Sequence, residues 1–168
     1  MWVFIRIRFI ANVRGNKRNS LDKISLYTKK DTVTNDWTET VIRQWQTEDI
    51  ELNPGISVDE LAHAEKILDF VFPDQFRELY LKVNGFHNND WRANMFSLWP
   101  VDRIIEEYNS RADKNFIGFS DYLINIHQIG FVKDRKGVYK YLDRPEFIAN
   151  TFEEGIHLIN IDSELIYV

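Results

Sequence analysis

The sequence of 168 residues contains no cysteine. Disulfide bonds, thiolate zinc sites and cysteine nucleophiles are therefore excluded for this chain. A reducing, cytoplasmic setting fits this composition and is the location we expect. Glycine is also scarce, with seven residues, and none of them forms a known phosphate-binding loop motif. We therefore expect no bound cofactor.

Long hydrophobic runs are missing as well, because no apolar segment reaches the roughly 20 residues that a membrane helix needs. The most apolar stretch is residues 1–10, where Arg6 and Arg8 interrupt the run and no small-residue cleavage site follows. Apolar side chains alternate along this stretch, which predicts a strand rather than a signal peptide. We expect no membrane association.

Hydrophobic residues make up 44% of the chain and aromatic residues 14%, enough for one core in one domain. The net charge of −5 is unevenly distributed: residues 1–30 carry +7 and the remainder −12. An acidic body repels nucleic acid and attracts a basic partner, although the same charge also fits a merely solubilising surface. We assign residues 1–35 to a basic extension or hairpin, with a second short strand at Ile24–Tyr27, and residues 36–168 to the domain.

Several helices can be predicted from apolar spacing and end signals. The first spans Asp36–Gln46, with Trp37 and Trp45 on its apolar face. Ser57 and Glu60 form a capping box at the start of a second helix over Ile56–Phe70. A third begins at Pro73 and is expected to stop at Asn84-Gly85.

The rest of the chain mixes strand and helix patterns. We predict a polar loop at residues 86–92, a strand at Met95–Trp99 and a helix after Pro100. Strands are predicted at residues 116–119 and 138–142, with a turn at 133–137. Residues 122–126 and 129–132 form either one interrupted strand or two strands. Thr151 and Glu154 predict a second capping box and a last helix. Helices followed by antiparallel strands indicate an α+β fold with the helices on one side of the sheet.

Four of these pieces occur in an order that resembles the SUKH superfamily. The superfamily includes the fungal cell-wall assembly regulator and many bacterial immunity proteins. The similarity spans about residues 37–162, and Gly155 departs from it because a bulky apolar residue is usual there. We expect this glycine to leave the last helix short or frayed. The four pieces are the helix Ile56–Phe70, the segment Phe72–Tyr80 leading to Asn84-Gly85, the strand Phe116–Phe119 and the segment Ile148–Glu154.

The resemblance implies a SUKH-like fold, in which N-terminal helices pack on a mainly antiparallel sheet and a C-terminal helix closes the domain. It also implies a protein that binds another protein and has no catalytic activity. The main hypothesis is an immunity protein that neutralises a toxin, such as a nuclease or another polymorphic toxin, by direct binding. The alternative is a regulatory or scaffold module of the cell-wall assembly regulator type.

The sequence contains no complete catalytic or metal-binding motif. The four histidines, His63, His87, His127 and His157, form no helical ligand pair, and only His87 with Asp90 offers a possible start of a metal site. Ser120, Asp121 and His127 lie close in sequence, but the sharp turn that exposes a serine nucleophile is absent. We therefore predict no enzyme and no metal.

Exposed contacts for a protein partner are expected in the loops and turns around the sheet. Trp91 is the main candidate, because an exposed tryptophan in a polar loop is a typical binding anchor. The alternative is that Trp91 folds back onto the sheet. Asp90, Asp121 and Asp134 are predicted to supply acidic contacts around it.

Overall fold

The computed structural model describes residues 36–167. The predictions for residues 1–35, a basic extension with strands at residues 1–10 and Ile24–Tyr27, lie outside the described residues. Within residues 36–167 the helices are α1 (Trp37–Thr47), α2 (Val58–Leu68), α3 (Asp74–Tyr80), α4 (Val101–Ser110) and α5 (Phe152–Asn160), with 3-10 turns at His87–Asn89 and Glu164–Ile166. The strands are β1 (Leu52–Pro54), β2 (Val83–Phe86), β3 (Phe96–Leu98), β4 (Phe116–Tyr122), β5 (His127–Val132), β6 (Arg135–Tyr141) and β7 (Pro145–Ala149).

Side-chain hydrogen bonds cap the N-termini of α2 and α5. The capping box of α2 is confirmed: the Ser57 hydroxyl accepts from the Glu60 amide, and the Glu60 carboxylate accepts from the Ser57 amide at 2.8 Å. At α5 the Thr151 hydroxyl accepts from the Glu154 amide. The Glu154 carboxylate accepts from the amide of Asn150, one residue before the position that a capping box requires. Both contacts satisfy amides that a helix start leaves without intrahelical partners.

Strands β3 to β7 form one antiparallel sheet in chain order, and β1 pairs with β2 in a separate small sheet. Helices α3 and α5 cover one face of the larger sheet, whereas α4 packs on β4, where its Arg103 side chain pairs with Asp121. The Phe76 ring on α3 lies 5.9 Å from that of Phe131 on β5, and the Phe152 ring on α5 lies 5.0 Å from that of Phe119 on β4. All four side chains are buried in one hydrophobic core. This arrangement confirms the predicted α+β fold with helices packed on an antiparallel sheet.

The predicted end of the third helix at Asn84-Gly85 is wrong. Helix α3 ends at Tyr80, and both residues belong to β2, which pairs with β1. The left-handed conformation expected for Gly85 is present, with φ of 68°. A side chain there would meet the carbonyl carbon of Trp99 at 2.5 Å. The glycine therefore permits close approach to the chain after β3, and it does not cap a helix.

The sheet also differs from the sequence prediction in its connections. Strand β4 runs on to Tyr122, and residues 123–126, expected to be strand, form the turn to β5. Strand β6 begins at Arg135, so the predicted turn at 133–137 is only two residues long, and β7 was not predicted.

The expected fraying of the last helix is wrong too, because α5 is continuous. A Cβ at Gly155 would lie 3.2 Å from the methyl carbons of Val138, so the glycine lets α5 pack tightly on β6.

Candidate protein-binding surface

The face of the five-stranded sheet opposite α3 and α5, called the outer face, carries a different set of side chains. Strand register places Ser97, Asp121, Gln128 and Tyr141 directly opposite one another on β3 to β6, and residues in such register share a face. The Arg111 guanidinium lies on the same face, where Nη1 donates to Gln128 Oε1 at 2.8 Å. The outer face therefore carries polar and aromatic side chains, of which Ser97 and Asp121 are buried.

Asp121 forms the polar centre of the outer face, although it is only 3% exposed. Its Oδ1 accepts from Trp99 Nε1 at 2.5 Å, and its Oδ2 accepts from the Asn125 amide at 2.9 Å. Arg103 Nη2 lies 3.4 Å from the same Oδ2. The Arg103 guanidinium also stacks 4.4 Å from the centroid of the Trp99 ring. The buried carboxylate is thus paired with a cation and accepts two hydrogen bonds, as a buried charge requires.

A cleft of about 190 Å³, called the Trp91 cleft, opens beside this ion pair. The Trp91 side chain is 49% exposed and that of Ile124 is 74% exposed. Large apolar side chains around a compact polar base are the arrangement found in binding hot spots. The residues lining the Trp91 cleft are Trp91, Met95, Ser97, Arg103, Asp121 and Ile124.

The turn that carries Ile124 has an unusual backbone. Leu123, Ile124 and Asn125 have φ angles of 46°, 53° and 66°, a left-handed region that a β-branched residue such as isoleucine strongly disfavours. Such conformations cost about 1–3 kcal/mol per residue and persist only where surrounding contacts fix them. Here the Leu123 amide donates to the Met95 carbonyl at 3.1 Å, and the Asn125 amide donates to Asp121. These contacts hold an exposed isoleucine at the cleft.

The loop that carries Trp91 is anchored by its neighbour Arg92, which is 7% exposed. Arg92 Nε and Nη2 donate to the two carboxylate oxygens of Glu48 at 2.6 and 2.7 Å, and Nη1 donates to the Ile159 carbonyl at 2.6 Å. Hydrogen bonds from Arg92 hold the pKa of Glu48 below its usual 4.5. The loop is therefore tied to α1 and α5, which limits the entropy that Trp91 would lose on binding a partner.

Three of the four residues predicted as partner contacts lie at the Trp91 cleft, and Asp134 lies elsewhere. Asp90 and Trp91 are adjacent at the cleft, where the Trp91 amide donates to Asp90 Oδ1 at 2.8 Å. The predicted position of Asp121 in an exposed loop is wrong, because Asp121 lies inside β4 and its carboxylate is satisfied within the protein. Asp134 is exposed in the β5–β6 turn, at the opposite end of β5 from Ile124. The contact roles of Asp90, Trp91, Asp121 and Asp134 stay predictions.

Ser120, Asp121 and His127 do not assemble a catalytic triad. Ser120 pairs with Ile129 on the helix-covered face, whereas Asp121 points to the outer face. Ser120 and His127 are both buried. Burial lowers the pKa of His127 below its usual 6.5, and the nearby charge of Lys140 lowers it further. Both of these causes favour the neutral imidazole.

Metal chemistry finds no support in the part of the chain that the structure describes. His87 Nδ1 lies 2.9 Å from Asn53 Oδ1, and no group of three or more histidine, aspartate or glutamate side chains within residues 36–167 could hold a metal ion. No helix within this range is long and apolar enough to cross a membrane.

Sequence reasoning missed four members of the Trp91 cleft, namely Met95, Ser97, Arg103 and Ile124. The periodicity placed Met95 and Ile124 in strands, and Arg103 fell on the polar side of its helix. No local signal marks the left-handed turn at Ile124, which depends on contacts to Met95 and Asp121. The exposed tryptophan was the one cleft residue that the sequence could single out as a binding anchor.

Comparison with known proteins agrees with this fold. The model of the SMI1 / KNR4 family (SUKH-1) matches residues 55–167, about two thirds of the chain. The match includes the whole five-stranded sheet and every residue that lines the Trp91 cleft. None of the curated proteins compared with the chain matches it. The predicted resemblance is confirmed, and the chain belongs to the SMI1/KNR4 family (SUKH-1).

Proposed function

We propose that this chain is an immunity protein that binds a toxin through the Trp91 cleft and covers the toxin's active site. The toxin class that we favour is a nuclease or another polymorphic toxin. The observation that carries the proposal is the exposed pair Trp91 and Ile124 around a buried ion pair. One side chain projects from an anchored loop and the other from a strained turn, so both are preorganised for a protein partner.

The charge of the domain supports a basic partner. Residues 36–168 contain thirteen basic and 24 acidic residues, a net charge of −11. A nuclease must attract phosphates, so its active cleft is basic. An acidic body would speed its approach to such a cleft, and complementary charge mainly increases the association rate. The acidic residues thus provide attraction and the Trp91 cleft provides the anchor.

The experiment is co-expression of the full chain with the toxin domain encoded beside its gene. We expect the chain to restore growth and to inhibit the purified toxin at a one-to-one ratio. Trp91→Ala should weaken binding by about 2 kcal/mol, the threshold for a hot-spot residue. The control is Val58→Ala, which trims a side chain of α2 that is 57% exposed. It should change the affinity by less than about 0.5 kcal/mol.

Two outcomes count against the proposal. A loss below about 0.5 kcal/mol for Trp91→Ala would remove this residue as the anchor. A chain that neither restores growth nor inhibits the toxin would exclude the immunity role. Stable binding to a housekeeping enzyme or kinase without inhibition of a toxin would instead select the regulatory scaffold function.

A further inference from the structure

A second surface, called the basic groove, lies at the end of the sheet away from the Ile124 turn. It runs between the β5–β6 turn, the connection from α2 to α3 and the start of α5, and it has a volume of about 500 Å³. This volume falls within the range of about 300–1,000 Å³ that is typical of ligand pockets. Its lining combines four apolar residues with three cations and one acid, so cations outnumber acids there. The residues are Phe70, Pro73, Phe131 and Phe152, then Lys133, Arg135 and Lys136, and Asp134.

The aromatic rings of the basic groove pack against one another and against the core. The rings of Phe70 and Phe131 stack with their centroids 5.5 Å apart. Phe131 and Phe152 are almost fully buried, whereas Phe70 is only partly buried. Phe70 therefore presents a ring that is supported from behind by the core. A partly exposed ring of this kind can form offset-stacked or edge-to-face contacts with an aromatic side chain of a partner.

The cationic part of the groove is a local exception in an acidic domain. Three of the thirteen basic residues of residues 36–168 fall within the four positions 133–136. The Lys133 ammonium donates to the Tyr108 hydroxyl at 3.0 Å and lies 3.8 Å from a carboxylate oxygen of Asp69. Arg135 and Lys136 are exposed, and neither forms an ion pair with any residue of the described range. Two cations at the groove are thus available to a partner.

We propose that the basic groove binds an extended acidic segment of a partner protein that carries one large apolar side chain. The apolar side chain would lie on Phe70 and Pro73, and flanking carboxylates would pair with Arg135 and Lys136. Charge-assisted pairs of this type are stronger than neutral hydrogen bonds. Nucleic acid fits less well, because affinity for a phosphate chain grows with the number of phosphates that are neutralised, and only Arg135 and Lys136 are available here. This inference goes beyond the proposed function, since a basic toxin surface would be repelled here.

The test is fluorescence anisotropy with the full chain and three labelled pentapeptides. The probe is Glu-Glu-Phe-Glu-Glu, and the comparison peptides replace Phe by Ala or every Glu by Lys. We expect saturable binding of the probe below about 1 mM, at least about tenfold tighter than either comparison peptide. The double variant Arg135→Glu with Lys136→Glu should weaken probe binding at least about tenfold. The control is Arg43→Glu with Lys66→Glu, which reverses two exposed cations on α1 and α2 and should change binding less than about twofold.

Several results would overturn the inference. They are the absence of saturable binding at about 1 mM, an equal loss in the control variant, and equally tight binding of a single-stranded oligonucleotide. A photoreactive benzoyl group on the probe phenylalanine should label the segment around Phe70 and Pro73, and labelling elsewhere would also contradict the proposal. Trp91→Ala should leave probe binding unchanged. A failure at the basic groove is thereby distinguished from a failure of the Trp91 cleft.

Discussion

The indole of Trp99 donates a hydrogen bond to the carboxylate of Asp121 across the outer face, and both side chains are shielded from solvent. Trp99 directly follows β3, and Asp121 lies in β4. A Cβ at Gly118 would lie 3.0 Å from the Trp99 ring, so the ring lies against the backbone of β4. This bond, together with the pairing of Arg103, sets the base of the Trp91 cleft.

Replacement of Asp121 should destabilise the protein far more than replacement of Asp134. Asp121→Ala removes the acceptor of two hydrogen bonds and the partner of Arg103, whose side chain is 18% exposed. Breaking a buried ion pair in this way costs about 3 kcal/mol. Asp134→Ala alters an exposed turn and should cost less than about 0.5 kcal/mol. Urea unfolding of both variants measures the difference, and equal losses would show that the carboxylate of Asp121 has no structural role.

The Glu48–Arg92 contact should make stability depend on pH on the acid side. The pKa of Glu48 is below 4.5 in the folded state, so the folded state binds fewer protons than the unfolded chain around that pH. The contribution of the ionised Glu48 carboxylate to the free energy of unfolding is complete above about pH 4.5, and it is lost as the pH falls through the folded-state pKa. Glu48→Gln should therefore flatten the decline in unfolding free energy below about pH 4.5. Urea titrations at several acid pH values test this, and an unchanged decline would contradict it.

His127 should produce a separate pH effect at higher pH. Its pKa is below 6.5 in the folded state, so protonation favours the unfolded chain. The contribution of the neutral His127 to the free energy of unfolding is complete above about pH 6.5, and it falls as the pH decreases towards the folded-state pKa. His127→Phe keeps an aromatic ring of similar shape and should remove this slope between about pH 6.5 and pH 5. If the variant and the natural chain lose stability equally over this range, protonation of His127 is not the cause.

Two glycine substitutions should differ sharply in their effect. A Cβ at Gly130 would lie 2.2 Å from the Ile117 carbonyl oxygen in the neighbouring strand. The backbone there cannot move away without disrupting the pairing of β4 with β5. Gly130→Ala should cost about 3 kcal/mol. Gly155→Ala meets only the methyl groups of Val138 at 3.2 Å, and it gains about 1 kcal/mol of helix propensity. Its net effect should stay within about 1 kcal/mol, and thermal or urea unfolding of both variants provides the comparison.

The sequence predicted the helices well because their signals are local. The Ser57 and Glu60 capping box, the apolar stripe of α2 and the cap at Thr151 each lie within a few residues of the helix they begin. The strand ends were predicted less accurately. Pairing of β1 with β2 and the extension of β4 to Tyr122 depend on partner strands, which local patterns do not specify.

The sequence by itself determined the absence of cysteine chemistry, the acidic charge, the α+β class and the exposed tryptophan as a candidate anchor. These properties follow from composition and from short-range spacing. Only the tertiary structure decided that Asp121 is buried against Trp99, that Ile124 adopts a left-handed turn and that Asp134 lies at a different surface from Trp91. Each of these depends on contacts between residues distant in sequence, because burial and backbone strain are set by what packs against a residue rather than by its neighbours along the chain.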